Sequence, residues 1–171
     1  MMNIPNMVRN AGRASLLLIF GAALAGCNAP SATQDATPPL AGAKIGGPFS
    51  LTDQDGKPVR DSDFAGRYRI VYFGYSYCPD ICPVDVQKLM RGLAAFEKAD
   101  PARGAKVQPI FITVDPARDT PAVLKAFVSR YHPRLIGLTG TPEQIAAVAK
   151  EYVVSFHKVE GSAPDRYLMA H

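Results

Sequence analysis

Cysteine is scarce here, with three in 171 residues. So few cannot make a disulfide-dense miniprotein, whose fold hangs on several bridges. Charge of one sign is scarce as well. The net charge is +4 at pH 7, too small an excess to imply a nucleic-acid partner. No apolar run reaches the ~20 residues that a membrane-spanning helix needs, which excludes a multi-span membrane protein. There is neither an internal repeat nor a block of like charge, the marks of repeat arrays and charged tails. What is present is ordinary. Hydrophobic residues make up 47% and charged residues 20%, close to soluble globular averages, so a disordered or collagen-like chain is excluded. The length suits one domain and is too short for two full ones. The cysteines fall unevenly, Cys27 near the start and Cys78 and Cys82 close together. Their odd number needs an explanation.

The first thirty residues read as an address. Arg9 and Arg13 precede an apolar run from Ala14 to Ala25 of 12 residues, and small residues follow. A positive segment, an apolar segment and a small-residue cleavage site make a secretory signal. Leu24-Ala25-Gly26-Cys27 resembles the lipobox of a bacterial lipoprotein. The resemblance implies a signal over residues 1–26, cleavage before Cys27 and lipidation of its thiol; an ordinary signal peptide with a chance cysteine is the alternative. Residues 27–43 are rich in Ala, Pro, Ser and Thr and have no apolar period, as a flexible tether would. The folded domain is expected over residues 44–171.

That domain alternates strand and helix patterns. Phe49–Gly56 alternates and turns at Asp55-Gly56, the start of a hairpin. Arg69–Gly74 is continuously apolar, the pattern of a strand buried on both faces. Val86, Leu89, Met90, Leu93 and Phe96 fall at helical spacing behind Pro83, which opens that helix. Val107–Val114 reads as a second buried strand. Thr120-Pro121 caps a helix to about Arg130, and Leu135–Leu138 is a short strand. Thr141-Pro-Glu-Gln144 is a capping-box start for a helix to about Tyr152. Val153–Lys158 and Tyr167–His171 read as strands. Strands alternating with helices indicate an α/β domain with a partly parallel sheet. A cysteine pair between a buried strand and a helix is the plan of a thioredoxin-like fold with a mixed central sheet.

The pair itself is Cys78-Pro-Asp-Ile-Cys82. On a helical turn, residues four apart have Cβ atoms about 5–6 Å apart, whereas a disulfide wants about 3.5–4.5 Å. A small adjustment permits a disulfide, and the relaxed spacing leaves room for an ion. A helix N-terminus stabilises thiolate, the form that ligates metal or attacks a disulfide. Two thiolates in an exported protein select soft ions, Cu(I) first and Zn(II) second. They leave coordination incomplete, and histidine is the expected third donor. His132 lies in a polar turn expected to be solvated, His157 in a surface strand and His171 at the last position; composition does not choose among them.

Further motifs add a resemblance. Val71-Tyr-Phe-Gly-Tyr-Ser-Tyr-Cys-Pro-Asp-Ile-Cys-Pro83, Phe111-Ile-Thr-Val-Asp-Pro-Ala-Arg-Asp-Thr-Pro121, Ile136-Gly-Leu-Thr-Gly140 and Asp165-Arg-Tyr-Leu-Met-Ala-His171 resemble, in order, the motifs of the SCO/SenC copper chaperones. The likeness runs from about Ile45 to the last residue. It implies a thioredoxin-like domain on the periplasmic or intermembrane-space side of a membrane, here anchored to the inner membrane by lipid and facing the periplasm. It implies that Cys78, Cys82 and His171 ligate copper, as Cu(I) and in some states Cu(II). The implied task is delivery of copper to the CuA centre of cytochrome c oxidase, or reduction of the cysteines that receive it. The implied partners are the oxidase subunit carrying that centre and other periplasmic copper carriers or thiol reductases. Asp115 matches an acidic position near the family's site, where it either supports the ligands or faces a partner; its alternative role is capping the turn before Arg118. Asp80 is read as a helix cap and not a ligand. Met169, two residues before His171, shares its side of a strand, yet a core methionine is the commoner case. Met90 is read as core.

In the family, the strand carrying this histidine continues, turns, pairs again and is followed by a helix. The expectation is therefore a sheet lacking its last strands and C-terminal helix, with weaker copper binding than in a chain extended past His171. The competing function is a periplasmic thiol–disulfide oxidoreductase of the same fold, which needs only the cysteines as its redox pair. The Cys-x-x-x-Cys spacing favours the chaperone, since redox enzymes of this fold usually carry Cys-x-x-Cys.

Overall fold

Hairpin chemistry opens the described chain. Strand β1 (Ser50–Asp53) returns as β2 (Pro58–Arg60), and Asp53 shapes the turn by accepting from the backbone N–H groups of Asp55 and Lys57, each at 2.8 Å. Gly56 takes φ 78° in that turn, a conformation that side chains disfavour. These features come from a computed structural model that describes residues 41–159 and 167–171. The predicted signal, Cys27, most of the tether and Asp165 lie outside the described residues.

After a single 3-10 turn (Asp61–Phe64), β3 (Tyr68–Gly74) leads through the cysteine loop into α1 (Ile81–Ala99). A one-turn helix, α2 (Pro101–Gly104), precedes β4 (Val107–Thr113). Helix α3 (Pro121–Val128), β5 (Ile136–Thr139) and α4 (Pro142–Glu151) follow. Strands β6 (His157–Lys158) and β7 (Met169–Ala170) pair as a separate antiparallel ribbon, His157 opposite Ala170. The described residues form a five-stranded sheet in the order β2-β1-β5-β4-β3. Strands β3, β4 and β5 run parallel, and β1 is antiparallel to both β5 and β2. This is the expected mixed α/β sheet.

Strand β4 is its axis, buried at every position. Ile110 and Ile112 point to the face covered by α4, where Phe49, Leu51, Leu138, Ile145 and Val148 pack. Phe111 points the other way, to Val86, Met90 and Leu93 of α1 and Leu124 and Phe127 of α3. The alternation is the two-residue period of a strand seen between two layers. Met90 is core, as expected. Thr120 and Thr141 cap α3 and α4 by accepting from the backbone N–H of Val123 and Gln144. The Thr141 box is reciprocal, since Gln144 accepts from the Thr141 N–H at 2.8 Å.

Three expectations are corrected. Strand β3 is covered on both faces but is not fully buried. It is an edge strand, and Tyr68 at its start is 73% exposed. Its apolar run does pack on both faces, Val71 and Phe73 against one side of the core and Ile70 and Tyr72 against the other, but only Phe73 and Gly74 at the inner end are buried. His132 is not solvated. It is 8% exposed, with Nε2 3.2 Å from Glu97 Oε2 and Nδ1 accepting from the Arg134 N–H. Arg134 also pairs with Glu97 and donates to the carbonyls of Gly104 and Val107, so this histidine belongs to a clamp between α1 and the start of β5. Finally, the strands expected at Val153–Lys158 and Tyr167–His171 shrink to two residues each. Val153 is spent on leaving α4, at φ 58°. No helix among the described residues is long and apolar enough to cross a membrane.

Candidate metal centre

The cysteine loop begins where β3 runs out. Gly74 ends the strand, and a Cβ there would lie 3.2 Å from Cys82 Sγ and 2.8 Å from the Tyr72 ring. Only a residue without a side chain lets the thiol settle against the strand end. The chain turns at Tyr75, whose carbonyl accepts from the Cys78 N–H at 3.2 Å, and α1 starts at Ile81. Cys78 therefore lies in the turn before the helix, and only Cys82 is within it. Asp80 holds the cap position without capping: its side chain makes no cap bond. Cys78 Sγ takes that place, accepting from the Cys82 N–H at 3.4 Å.

The two thiols differ as their surroundings do. Cys82 is fully buried and Cys78 half-buried, and neither is in a disulfide. Burial, then the hydrogen bond and charge of Cys78, push the Cys82 thiol up to about 12. Burial also opposes ionisation of Cys78. There it is outweighed by hydrogen bonds from the Cys82 thiol and from the backbone of Cys82, Asp80 and Ile81, so this thiol is held below its usual value. The expected helix-terminus effect thus acts on one cysteine. At the other, desolvation wins.

His171 reaches this place from the far end of the chain. Its Nε2 lies 3.6 Å from Cys82 Sγ, 89 positions away in sequence, and its ring meets the buried Tyr75 ring edge-on at 5.9 Å. Cys82 is in contact with both other candidates, hydrogen-bonded to Cys78 and facing the imidazole. No three His, Cys, Asp or Glu side chains among the described residues are gathered closely enough to hold a metal ion outright; the set is joined pairwise through Cys82. Two sulfurs and one imidazole are a soft donor set of the kind that suits Cu(I). His157 is exposed on β6, His132 belongs to its clamp, and Met169 packs against the core.

Asp115 is 3% exposed. Its carboxylate accepts from Arg118 Nε at 2.5 Å and from the Tyr167 hydroxyl at 2.6 Å. Its backbone carbonyl also accepts from the Arg118 N–H at 3.2 Å. Sequence reasoning assigned no role to three neighbours. Arg118 stacks over the Tyr167 ring at 3.6 Å and stands 4.9 Å from the Tyr77 ring. Tyr167 carries Lys158 against it as well, at 4.0 Å. Asp119, fully buried, accepts from Thr113 Oγ1 at 2.6 Å, from the Ser76 N–H at 3.0 Å and from Ser76 Oγ at 2.5 Å. The available signals were the three-residue spacing of Asp115 and Arg118 and the tyrosines packed around Cys78.

Comparison with known proteins bears on the family and the fold. The SCO1/SenC family model matches residues 37–171. Protein SenC of Rhodobacter capsulatus is 52% identical over 112 residues, covering 66% of this chain and 49% of its own. The crystal structure of Arabidopsis thaliana ScoI with copper bound superposes with a TM-score of 0.69 at 43% identity, over 74% of this chain and 76% of that one. A structure identifying a disulfide switch in BsSco, "a member of the Sco family of cytochrome c oxidase assembly proteins", matches at TM-score 0.53 and 29% identity, over 64% of each chain. The chain spans about half the length of the curated relatives it matches. The fold is that of the thioredoxin-like Sco structures.

Proposed function

Because the chain belongs to the SCO1/SenC family, we propose that it is a copper-binding assembly factor for cytochrome c oxidase. Copper is its cargo. Cys78, Cys82 and His171 hold the ion, chiefly as Cu(I), and deliver it to the CuA centre of the oxidase subunit. Cys27 carries the lipid that keeps the domain on the periplasmic side of the inner membrane. The observation that carries this reading is the approach of His171 Nε2 to Cys82 Sγ at 3.6 Å. An oxidoreductase needs only the thiols, so a third soft-metal donor brought in from the chain end speaks for ligation. Buried Cys82 anchors the ion, while half-buried Cys78, the more readily ionised thiol, is the sulfur that a recipient ligand can displace.

Reduction of the recipient's cysteines is the second reading, and the thiol asymmetry favours it. An accessible thiol with lowered pKa beside a buried one is the arrangement of an attacking and a resolving cysteine. Anaerobic Cu(I) titration of the reduced full chain against a competing chelator separates the two. Loss of affinity in Cys78→Ala, Cys82→Ala and His171→Ala supports the chaperone. Unchanged affinity in His171→Ala, together with rapid thiol-reductase turnover, assigns the protein to the second class.

A further inference from the structure

The thiols and the imidazole arrive on different elements, and one short turn touches both. It runs from Thr113 at the end of β4 to Thr120 at the cap of α3. Asp119 at its far end holds the cysteine loop. Its carboxylate accepts the backbone N–H and the hydroxyl of Ser76, two residues before Cys78, and is steadied from behind by Thr113 Oγ1. Asp115 and Arg118, earlier in the same turn, hold the histidine segment. Asp115 accepts the Tyr167 hydroxyl at 2.6 Å, and Arg118, fixed by the same carboxylate, covers the Tyr167 ring at 3.6 Å. The turn is itself rooted in the sheet. The Val114 N–H donates to the Gly74 carbonyl at 2.7 Å, and the N–H groups of Arg118 and Asp119 return to the Asp115 carbonyl.

We propose that the Thr113–Thr120 turn is a two-jawed clamp that sets the distance between the thiol pair and His171, with Ser76 and Tyr167 as positioning residues. The inference rests on the reading of Cys78, Cys82 and His171 as copper ligands. The physical need is clear on the imidazole side. Strand β7 has two residues and His171 is exposed, and so short a ribbon is marginal in water. Four residues before the imidazole, Tyr167 supplies a hydroxyl bonded to a buried carboxylate and a ring between Arg118 and Lys158. Hydrogen bonds to charged groups and desolvated cation–π contacts are the strong members of their classes. Neither Ser76 nor Tyr167 touches the ion in this account; each acts through the ligand it places.

The jaws predict opposite behaviour in a mutant cycle on the full chain. Tyr167→Phe removes the hydroxyl and keeps the ring. It is expected to weaken Cu(I) binding about tenfold, the scale of one charge-assisted hydrogen bond, and to change nothing in a His171→Ala background. Ser76→Ala is expected to weaken binding to a similar degree in both backgrounds, since it acts through the cysteines. A second measurement needs no copper. The nuclear Overhauser effect between the His171 and Tyr75 rings, which are edge-on at 5.9 Å, should fade in Tyr167→Phe and persist in Ser76→Ala. Equal losses for Tyr167→Phe in both backgrounds, no loss at all, or an undiminished ring-to-ring signal in Tyr167→Phe would each overturn the clamp. Loss of that signal in a chain whose copper affinity ignores His171 would keep the clamp's mechanics and sink the ligand assignment.

Discussion

The sulfur half of the site and the imidazole half are built in different ways. The sulfur half is continuous chain, the eight residues from Tyr75, just after β3, to Cys82 in the first turn of α1, with Cys82 inside the main core. Gly74, Tyr72 and Tyr75 surround it, and the helix backbone supplies hydrogen bonds. The imidazole half is a two-residue strand in a ribbon outside the main sheet, held by the Tyr167 contacts and by the packing of Met169 and Tyr75. The first is fixed by the same burial that stabilises the domain. The second rests on a two-residue pairing, the packing of Met169 and the polar contacts of Tyr167, of which a single substitution removes the last.

Ligand removal should show the contrast most strongly. Cys82→Ala is expected to lower Cu(I) affinity by more than about a hundredfold, beyond the 10–100-fold typical of losing a supporting residue around a metal site. His171→Ala should lose less, because its donor sits on the weaker half; equal losses in chelator competition would break the comparison. Apparent affinity should also climb with pH. Cys82, raised to about 12, still carries its proton at lower pH and releases it to solvent when the sulfur ligates metal, and binding that displaces protons strengthens as protons become scarce.

Within the sulfur half, alkylation at neutral pH should label Cys78 about a hundredfold faster than Cys82. Thiolate fraction falls tenfold per unit of pKa above the solution pH, partly offset by the lower nucleophilicity of the more acidic thiol. The Cys78 rate should rise with pH and level off below the usual thiol value, given its lowered pKa. Mass spectrometry of labelled peptides reads this directly, and comparable rates would mean that Cys82 is not buried in solution.

Gly74→Ala should destabilise the domain by about 1–3 kcal/mol, the usual cost of overpacking, since the new methyl group meets Cys82 Sγ and the Tyr72 ring. A denaturant midpoint that does not move would count against the tight seat of the thiol. The smallest effect belongs to the arm leading to the ribbon. Val153 occupies the left-handed position after α4, with the Val154 N–H returning to the Ala149 carbonyl at 2.8 Å. Glycine is the usual residue there. Val153→Gly should stabilise by up to about 1 kcal/mol and raise the melting temperature by a few degrees. A lower melting temperature would mean that the valine side chain, exposed as it is, contributes packing.

Much of the frame was legible because it rests on local rules. Thr120-Pro121 and Thr141-Pro-Glu-Gln144 announce helix starts through hydrogen bonds made within four residues. The run from Val107 reads as a buried strand because it is short and ends in Ile110-Phe-Ile-Thr-Val114, β-branched and aromatic residues that favour strands. The status of β3 was not legible. An apolar run is compatible with a central or an edge strand, and only the order of pairing tells them apart. His132 was misread for a similar reason. Its polar neighbours suggest a solvated turn, but its partner Glu97 lies 35 positions earlier.

The candidate site divides in the same way. Cys78 and Cys82 advertise themselves by spacing, and their place before an amphipathic helix follows from the pattern around them. Motif resemblance, not spacing, pointed to His171. The sequence by itself determined the donor types, the alternation of strands and helices, and the caps that begin α3 and α4, because each depends on neighbours within a turn or a strand. Tertiary structure alone decided that Cys82 is the buried thiol and Cys78 the accessible one. It also decided that Asp115 is buried against Tyr167 and that a C-terminal imidazole lies beside a sulfur 89 positions away. Desolvation and long-range contact are properties of the packed chain, and no local pattern encodes them.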